Sequence, residues 1–397
     1  MTEHPFADQL AAYFARQRIT IDCFNCGKSF VVETAACPHC GKFFDESVCK
    51  KTLDMTQERD ARLAALAPPP EEAPPPAVPA PMLGDVIGNA AACLQIRTAL
   101  DANRARQAQG QSTVFPSTLL VGPAGSGKST LAGVIASECK RKLHEQLGQS
   151  LNDPRAMVTA LLELKAGDIL YIDEAHGLRK TCTETLYMAM QEGVVIPISV
   201  RGKPSPRPVR LPPFTLICAT TDEYKLTDSF KQRFQYHIHL KRLTVEELSS
   251  AIAQRAERAG VKLEAAAARM IAERSHGTPR KAVMLLNRCI DTALAGGSDT
   301  IFNLVVESAC EMAELDCLGL TAAARSYLRV LVDSVKPVRL NVLASSLALP
   351  SRVVEVEIER DLIYLKLISK DANGRRLTEF GRLHLHSFND SSGAGAS

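Results

Sequence analysis

The chain has 397 residues, 46% hydrophobic and 23% charged, with a formal net charge of +3. That is enough apolar material for about two to four domains with buried cores, and too little charge to identify a nucleic-acid partner by its sum. The polar opening 1–18 lacks a signal-peptide core and no stretch approaches the ~18 apolar residues of a membrane span, so a cytoplasmic protein with no membrane partner is expected.

Twelve cysteines would suit a secreted scaffold if they were clustered, but four form two CxxC pairs. Cys139, Cys218 and Cys289 fall singly in apolar periodic segments, as small buried thiols of a reducing compartment do. The pairs come first in the chain. Cys23 and Cys26, then Cys37 and Cys40, are each followed by glycine, Gly27 or Gly41, and their four thiolates would close a tetrahedral Zn²⁺ site. So short a segment has no core of its own and would need the metal to fold. Residues 1–67 carry eight Lys/Arg against nine Asp/Glu, so this zinc ribbon is read as docking an unidentified protein rather than phosphate. His39, between two ligands, is read as exposed. Residues 68–81 hold eight prolines in fourteen positions and are expected to form a semi-rigid polyproline spacer.

A nucleotide-binding domain is expected over 82–242. The run from Thr118 to Thr130, TLLVGPAGSGKST, is a short apolar strand, a glycine-rich turn and the start of a helix. Gly122, Gly127, Lys128 and Ser129 occupy the fixed positions of a phosphate-binding loop. Glycines let consecutive backbone N–H groups turn toward phosphate oxygens, and the new helix aims its positive end at the same anion. Gly122, Pro123, Ala124, Gly125, Ser126, Gly127, Lys128, Ser129 and Thr130 are therefore expected to bind ATP, with Lys128 spanning the β- and γ-phosphates and Ser129 on Mg²⁺. A second strand, DILYIDEAHGL from Asp168, ends in two carboxylates. Asp173 is expected to hold the Mg²⁺ water shell and Glu174 to polarise the attacking water.

Between 194 and 213 alternating apolar residues flank Arg201-Gly202-Lys203, with Arg207 and Arg210 following and no acid in the segment. This is read as a protruding hairpin with a cationic tip. A third apolar run, Phe214 to Ala219, leads to Thr220 and Thr221, one of which should lie beside the γ-phosphate. Three such strands alternating with helices predict a mostly parallel sheet whose strand ends share one edge. The turn SFKQRF, 229–234, presents a cation that in a ring could reach a neighbouring copy's nucleotide.

A helical lid is expected over 243–318, opened by a Thr244–Glu247 capping box, with helices that stop at glycines. Arg280 starts a helix that can aim it back at the phosphates. Over 319–386, three helices and an Asn373-Gly374 hairpin make a winged helix-turn-helix. The 320–386 segment has eleven Lys/Arg against seven Asp/Glu, and Lys370, Arg375 and Arg376 cluster on the wing as expected DNA contacts. Glu355, Glu357, Glu359 and Asp361 are expected on the third helix's exposed side, where they would repel a groove. Residues 387–397 are read as a disordered tail.

From Gly84 to His386 the chain resembles the RuvB family of AAA+ ATPases, bacterial Holliday-junction branch-migration motors. The likeness rests on GPAGSGKST, LYIDEAHGL, the hairpin followed by LPPFTLICATT, SFKQRF, SHGTPRKA and LISKDANGRRLTE. With the segments read above, the expected fold is a multidomain α/β chain: zinc ribbon and Pro-rich linker from the residues themselves, then, as the resemblance implies, an AAA+ parallel α/β/α core with helical lid and a C-terminal winged helix. The resemblance also implies Ile87 near the adenine, Thr220 or Thr221 at sensor 1, Arg233 as the trans-acting finger and Arg280 as the sensor 2 arginine. The 194–213 hairpin, with Arg201 and Lys203, would meet a RuvA-like junction-binding protein, and the chain would form a hexameric ring on DNA. Lys231 departs from the family's arginine at that position, and the zinc ribbon is an addition to the ordinary motor. The competing expectation is a recruitment switch in transposition or defence that docks partners through its ribbon and never pumps DNA.

Overall fold

The structure, a computed structural model, describes residues 20–22, 29–31, 39, 82–111, 113–197, 207–334 and 336–393. The chain divides into two compact units, Met1–Pro79 and Ala80–Ser397. In the first, β1 (Thr20–Asp22) pairs antiparallel with β2 (Ser29–Val31), Thr20 opposite Val31, and His39 is exposed as expected. Cys23, Cys26, Cys37, Cys40 and the proline-rich stretch 68–81 lie outside the described residues.

The second unit begins with a 3₁₀ turn, Leu83–Asp85, and α1 (Ala90–Ala108). The core follows in order: β3 (Thr118–Val121), α2 (Lys128–Cys139), β4 (Leu143–Leu147), α3 (Pro154–Leu162), β5 (Ile169–Asp173) and α4 (Lys180–Gln191). Next come the short β6 (Val194–Val195) and β7 (Val209–Arg210), then β8 (Thr215–Thr220), α5 (Asp228–Lys231) and β9 (Tyr236–His239). The five-stranded sheet runs β4-β5-β8-β3-β9, every pair parallel. The three strands read from the sequence form its buried centre. Both edge strands escaped that reading because LHEQL and YHIH carry polar residues toward solvent. Alternation of side chains along the strands feeds two cores. Leu119, Leu170, Ile172 and Cys218 pack with Met157, Leu161 and Leu186 on one face, and Leu120, Tyr171, Ile217 and Ala219 with Ile96, Leu131 and Ile135 on the other. Parallel strands sandwiched this way end together, so Val121 lies opposite Thr220 at the edge where β5 ends in Asp173.

The lid consists of α6 (Val245–Arg258), β10 (Lys262–Leu263), α7 (Ala265–Glu273), α8 (Pro279–Ala295), β11 (Thr300–Ile301) and α9 (Asn303–Met312). Its capping box forms: Thr244 Oγ1 accepts from Glu247 N at 3.2 Å and Glu247 accepts from Thr244 N at 2.9 Å. The winged helix has α10 (Ala322–Val332), capped by Thr321, and α11 (Leu340–Ser346). Its third helix begins as α12 (Ser351–Val353), passes through a π turn at Val354–Glu359 and resumes as α13 (Arg360–Tyr364). Strands β12 (Ile368–Asp371) and β13 (Gly374–Leu377) form the wing, joined by Val338, which exchanges backbone hydrogen bonds with Arg375. Helix α14 (Glu379–Gly393) closes the unit and runs through 387–393, where composition alone reads as tail; 394–397 lie outside the described residues.

Two expectations for this domain are corrected. Val354, Ile358 and Leu362 are buried as expected, but so are Glu359 and Asp361; only Glu355 and Glu357 stay exposed. The wider π turn brings Glu359, five residues after Val354, onto the buried face, and Asp361, three residues after Ile358, shares that face by ordinary helical spacing. Arg375, expected as a DNA contact, is buried as well. Successive residues of a strand face opposite sides, so Arg376 is exposed while Arg375 turns onto Glu359, Nε to Oε1 at 2.8 Å and Nη2 to Oε2 at 3.0 Å.

Candidate active site

Buried β3 delivers Gly122 to the sheet edge, where a Cβ would stand 2.8 Å from the Leu240 carbonyl oxygen. Gly125 and Gly127 hold φ of +72° and +93°, the left-handed region that glycine enters without a Cβ penalty. Gly127 caps α2 without a side chain, leaving the first-turn N–H groups free for an anion. Lys128 is 7% exposed, and its Nζ donates to Gly122 O at 2.9 Å and Pro123 O at 3.0 Å. Burial pushes its ammonium below the ordinary lysine value, against the pull of Glu174 and Asp173. The Ser126 hydroxyl is buried with no hydrogen-bond partner. Pro123 is half-buried, and Ala124, Ser129 and Thr130 are exposed. An orphaned hydroxyl, a buried ammonium resting on loop carbonyls and open helical N–H groups fit a triphosphate.

Asp173 ends β5, and its Oδ1 accepts from Glu174 N at 2.9 Å. Glu174 leaves the strand at φ +51°, a conformation that costs a non-glycine residue about 1–2 kcal/mol. Gly148 makes room: its N donates to Asp173 O at 2.7 Å, and a Cβ there would stand 2.5 Å from Glu174 O. Glu174 Oε2 accepts from Thr221 Oγ1 at 3.2 Å and lies 3.1 Å from His176 Nδ1. The same ring nitrogen is 3.0 Å from Thr220 Oγ1, which accepts from Asp222 N at 3.0 Å. The two threonines left as alternatives therefore share one network, Thr221 on the carboxylate and buried Thr220 behind it. His176 and Asp222 were missed. The histidine two residues beyond Glu174 was the only available signal; Asp222 had none.

The lid closes on this edge. Arg280 is the second residue of α8, exposed, and its N donates to Gly125 O at 3.4 Å; a Cβ on Gly125 would lie 2.9 Å from both Thr278 Cγ2 and Arg280 Cβ. Ile87 is half-buried one residue before Gly88, whose Cβ would strike Leu243 at 2.4 Å, while Asn89 Oδ1 accepts from Lys241 N at 2.7 Å. The Ile87 segment is thus clasped at the junction of core and lid. Arg233 follows α5 and stacks on Tyr187 of α4 at 4.8 Å, one Nη buried without a partner; Phe230 and Phe234 on either side are buried edge to face. Lys231 pairs with Asp228 at 2.7 Å.

Three consecutive family profiles match the chain: the Holliday junction DNA helicase RuvB P-loop domain over 79–240, the RuvB AAA lid domain over 243–316 and the RuvB C-terminal winged helix domain over 317–386. The Holliday junction branch migration complex subunit RuvB of Fervidobacterium nodosum is 35% identical over 301 residues, 75% of this chain and 85% of that protein. Its counterpart from Thermotoga maritima is 34% identical over 307 residues, 76% of this chain and 90% of the other. The chain belongs to the RuvB family. The solved structure of the Thermotoga maritima RuvB Holliday junction branch migration motor superposes with a TM-score of 0.67 at 32% identity, covering 78% of this chain and 98% of that one.

Two further segments carry cations singled out in the sequence. The 194–213 hairpin forms at its base, Val194 opposite Arg210 and Val195 opposite Val209, while Arg201 and Lys203 lie outside the described residues. On the wing, Lys370 and Arg376 are both exposed, Lys370 engaged with Glu355 at 2.8 Å, whereas Arg375 is buried. Among the described residues no helix is long and apolar enough to cross a membrane.

Proposed function

We propose that this RuvB-family chain couples ATP hydrolysis to branch migration of Holliday junctions in recombination and repair, acting as a ring of copies on duplex DNA. The observation that carries the reading is Glu174, suspended between Thr221 and His176 at the sheet edge that also bears the phosphate loop and Asp173. The loop amides and Lys128 hold the β- and γ-phosphates, with Ser126 donating its free hydroxyl. Ser129 and Asp173 would hold Mg²⁺, which when bound neutralises phosphate charge. Glu174 orients water for in-line attack on the γ-phosphorus and takes its proton; Thr220 and Thr221 register the terminal phosphate. Arg233 of the next copy offsets developing charge, and Arg280 ties the lid to the loop. The match extends through all three RuvB domains, the winged helix included, and does not favour a recruitment switch that leaves DNA in place.

The four cysteines Cys23, Cys26, Cys37 and Cys40 are proposed as a Zn²⁺ site. The β1–β2 pair brackets the stretch containing Cys23 and Cys26, as a zinc knuckle requires. The ribbon then docks a protein partner, while Arg201 and Lys203 meet a RuvA-like protein, and the whole works in the cytoplasm. The ring is tested by mixing Arg233→Ala with Lys128→Ala. Each variant alone should be inactive, and mixed rings should regain ATP turnover where an intact finger faces an intact loop. Phosphate release that stays at background at every mixing ratio overturns the trans assignment.

A further inference from the structure

Arg360 and Asp361 open α13, and the two residues engage the rest of the ATPase. Asp361 is the anchor: Oδ1 accepts from Arg242 Nη1 at 2.9 Å at the core–lid junction, and Oδ2 meets Lys281 Nζ and lies 3.4 Å from His276 Nδ1 in the lid. Tyr364, one turn on, lies 4.5 Å from the Arg242 guanidinium. This anchorage carries Arg360 into the core, where its Nη2 stands 3.6 Å from Asp222 Oδ1. Asp222 Oδ2 accepts from Lys225 at 2.6 Å and lies 3.9 Å from His176 Nε2; the other ring nitrogen of His176 contacts Glu174 and Thr220. A chain of polar contacts thus runs from the winged helix to the carboxylate that activates water.

The Arg360–Asp222 pair differs from a structural ion pair. At 3.6 Å it is beyond hydrogen-bond length, Asp222 is already satisfied by Lys225, and the Arg360 side chain is 37% exposed with donors to spare. The Arg360 charge also reaches Lys128, as that of Arg280 does. Both guanidinium groups therefore act on the ammonium proposed to hold the terminal phosphate.

We propose that Arg360 is a positioning residue of the ATP site supplied by the winged-helix domain of the same chain: it sets the Asp222–His176 pair that holds Glu174, and its engagement of Asp222 changes with the terminal phosphate. Nucleotide state thereby reaches the DNA-side domain through a side-chain contact as well as through the lid. This deepens the reading of Lys128, Asp173 and Glu174 as the hydrolytic set and rests on it.

The experiment uses the full-length protein with Mg-ATP and duplex DNA, comparing wild type, Arg360→Ala, Arg360→Lys and Glu174→Gln. Arg360→Ala should lower kcat about ten-fold or more while KM for ATP stays within about three-fold, the signature of lost positioning rather than lost binding. Arg360→Lys, which keeps a charge within reach of Asp222, should recover about a third of wild-type kcat. Hydrogen exchange over 351–364 and 368–377 should differ between a non-hydrolysable ATP analogue and ADP in wild type, and that difference should vanish in Arg360→Ala. A kcat within about two-fold of wild type overturns the proposal. So does nucleotide-dependent exchange that survives in Arg360→Ala, or faster exchange over 351–364 already without nucleotide, which would mean simple docking. Failure of the underlying reading is separately visible, as wild type that does not hydrolyse ATP or Glu174→Gln that hydrolyses at the wild-type rate.

Discussion

Glu174 in the core and Glu359 in the winged helix are the same side chain in opposite circumstances. Glu359 is 1% exposed and engaged through both oxygens: Oε1 accepts from Tyr327 at 2.9 Å and Arg375 Nε at 2.8 Å, Oε2 from Arg375 Nη2 at 3.0 Å. Burial, then the nearby Glu359 charge, pushes the Tyr327 phenol far above its ordinary value, so it remains a donor at any working pH. Glu174 is 37% exposed, touches its partners through one oxygen, and departs from its strand in a left-handed conformation. A carboxylate that must take a proton from water keeps lone pairs open, whereas one that supports a fold spends most of them on donors.

The comparison breaks first at Glu174. Glu174→Gln should cut ATP turnover about 10²–10⁴-fold while equilibrium binding of ATP persists, a loss typical of a missing general base. Turnover near the wild-type rate would mean that the open carboxylate is not the one at work. Glu359→Ala should instead leave ATP binding in place and cost about 3–5 kcal/mol in denaturant unfolding of the winged helix, because Arg375 is left buried without its partner.

Asp361 sharpens the contrast through pH. Burial would raise its carboxyl, but His276 and Lys281 hold it well below the ordinary value of 3.8. A depressed folded pKa contributes stability that is complete above 3.8 and lost as pH falls through the folded value, which lies lower. Asp361→Asn should therefore melt earlier than wild type at neutral pH, with the gap narrowing only as pH is taken below 3.8. A gap that closes between pH 5 and 7 would assign the effect to another group. The smallest effect is expected on the wing. Arg376→Ala should weaken duplex binding evenly across sequences and lower the salt slope by about one contact, while Arg375→Ala acts on stability instead.

Much of the ATP site was legible because its residues are sequence neighbours. A glycine loop, its lysine and the helix after it are one contiguous run, and Asp173-Glu174 end a strand whose apolar residues announce it. Capping was equally local, and Thr244–Glu247 and Thr321 behave as read. Edge strands β4 and β9 were not legible, since a strand paired on one side does not need an apolar run. The wing misled for a related reason: adjacent arginines look alike in a composition window, yet a strand sends one outward and the other inward.

The amino-acid order alone determined the phosphate loop, the carboxylate pair, the domain succession and the paired cysteines, because each depends on chemistry within a few residues. Only the tertiary structure decided that Thr220, Thr221, His176 and Asp222 share one network, that Glu359 is a buried support and that Arg360 stands 3.6 Å from Asp222. Arg360 and Asp222 are 138 positions apart in the chain. No local pattern records such a meeting; it follows from the packing of α13 against the core and lid.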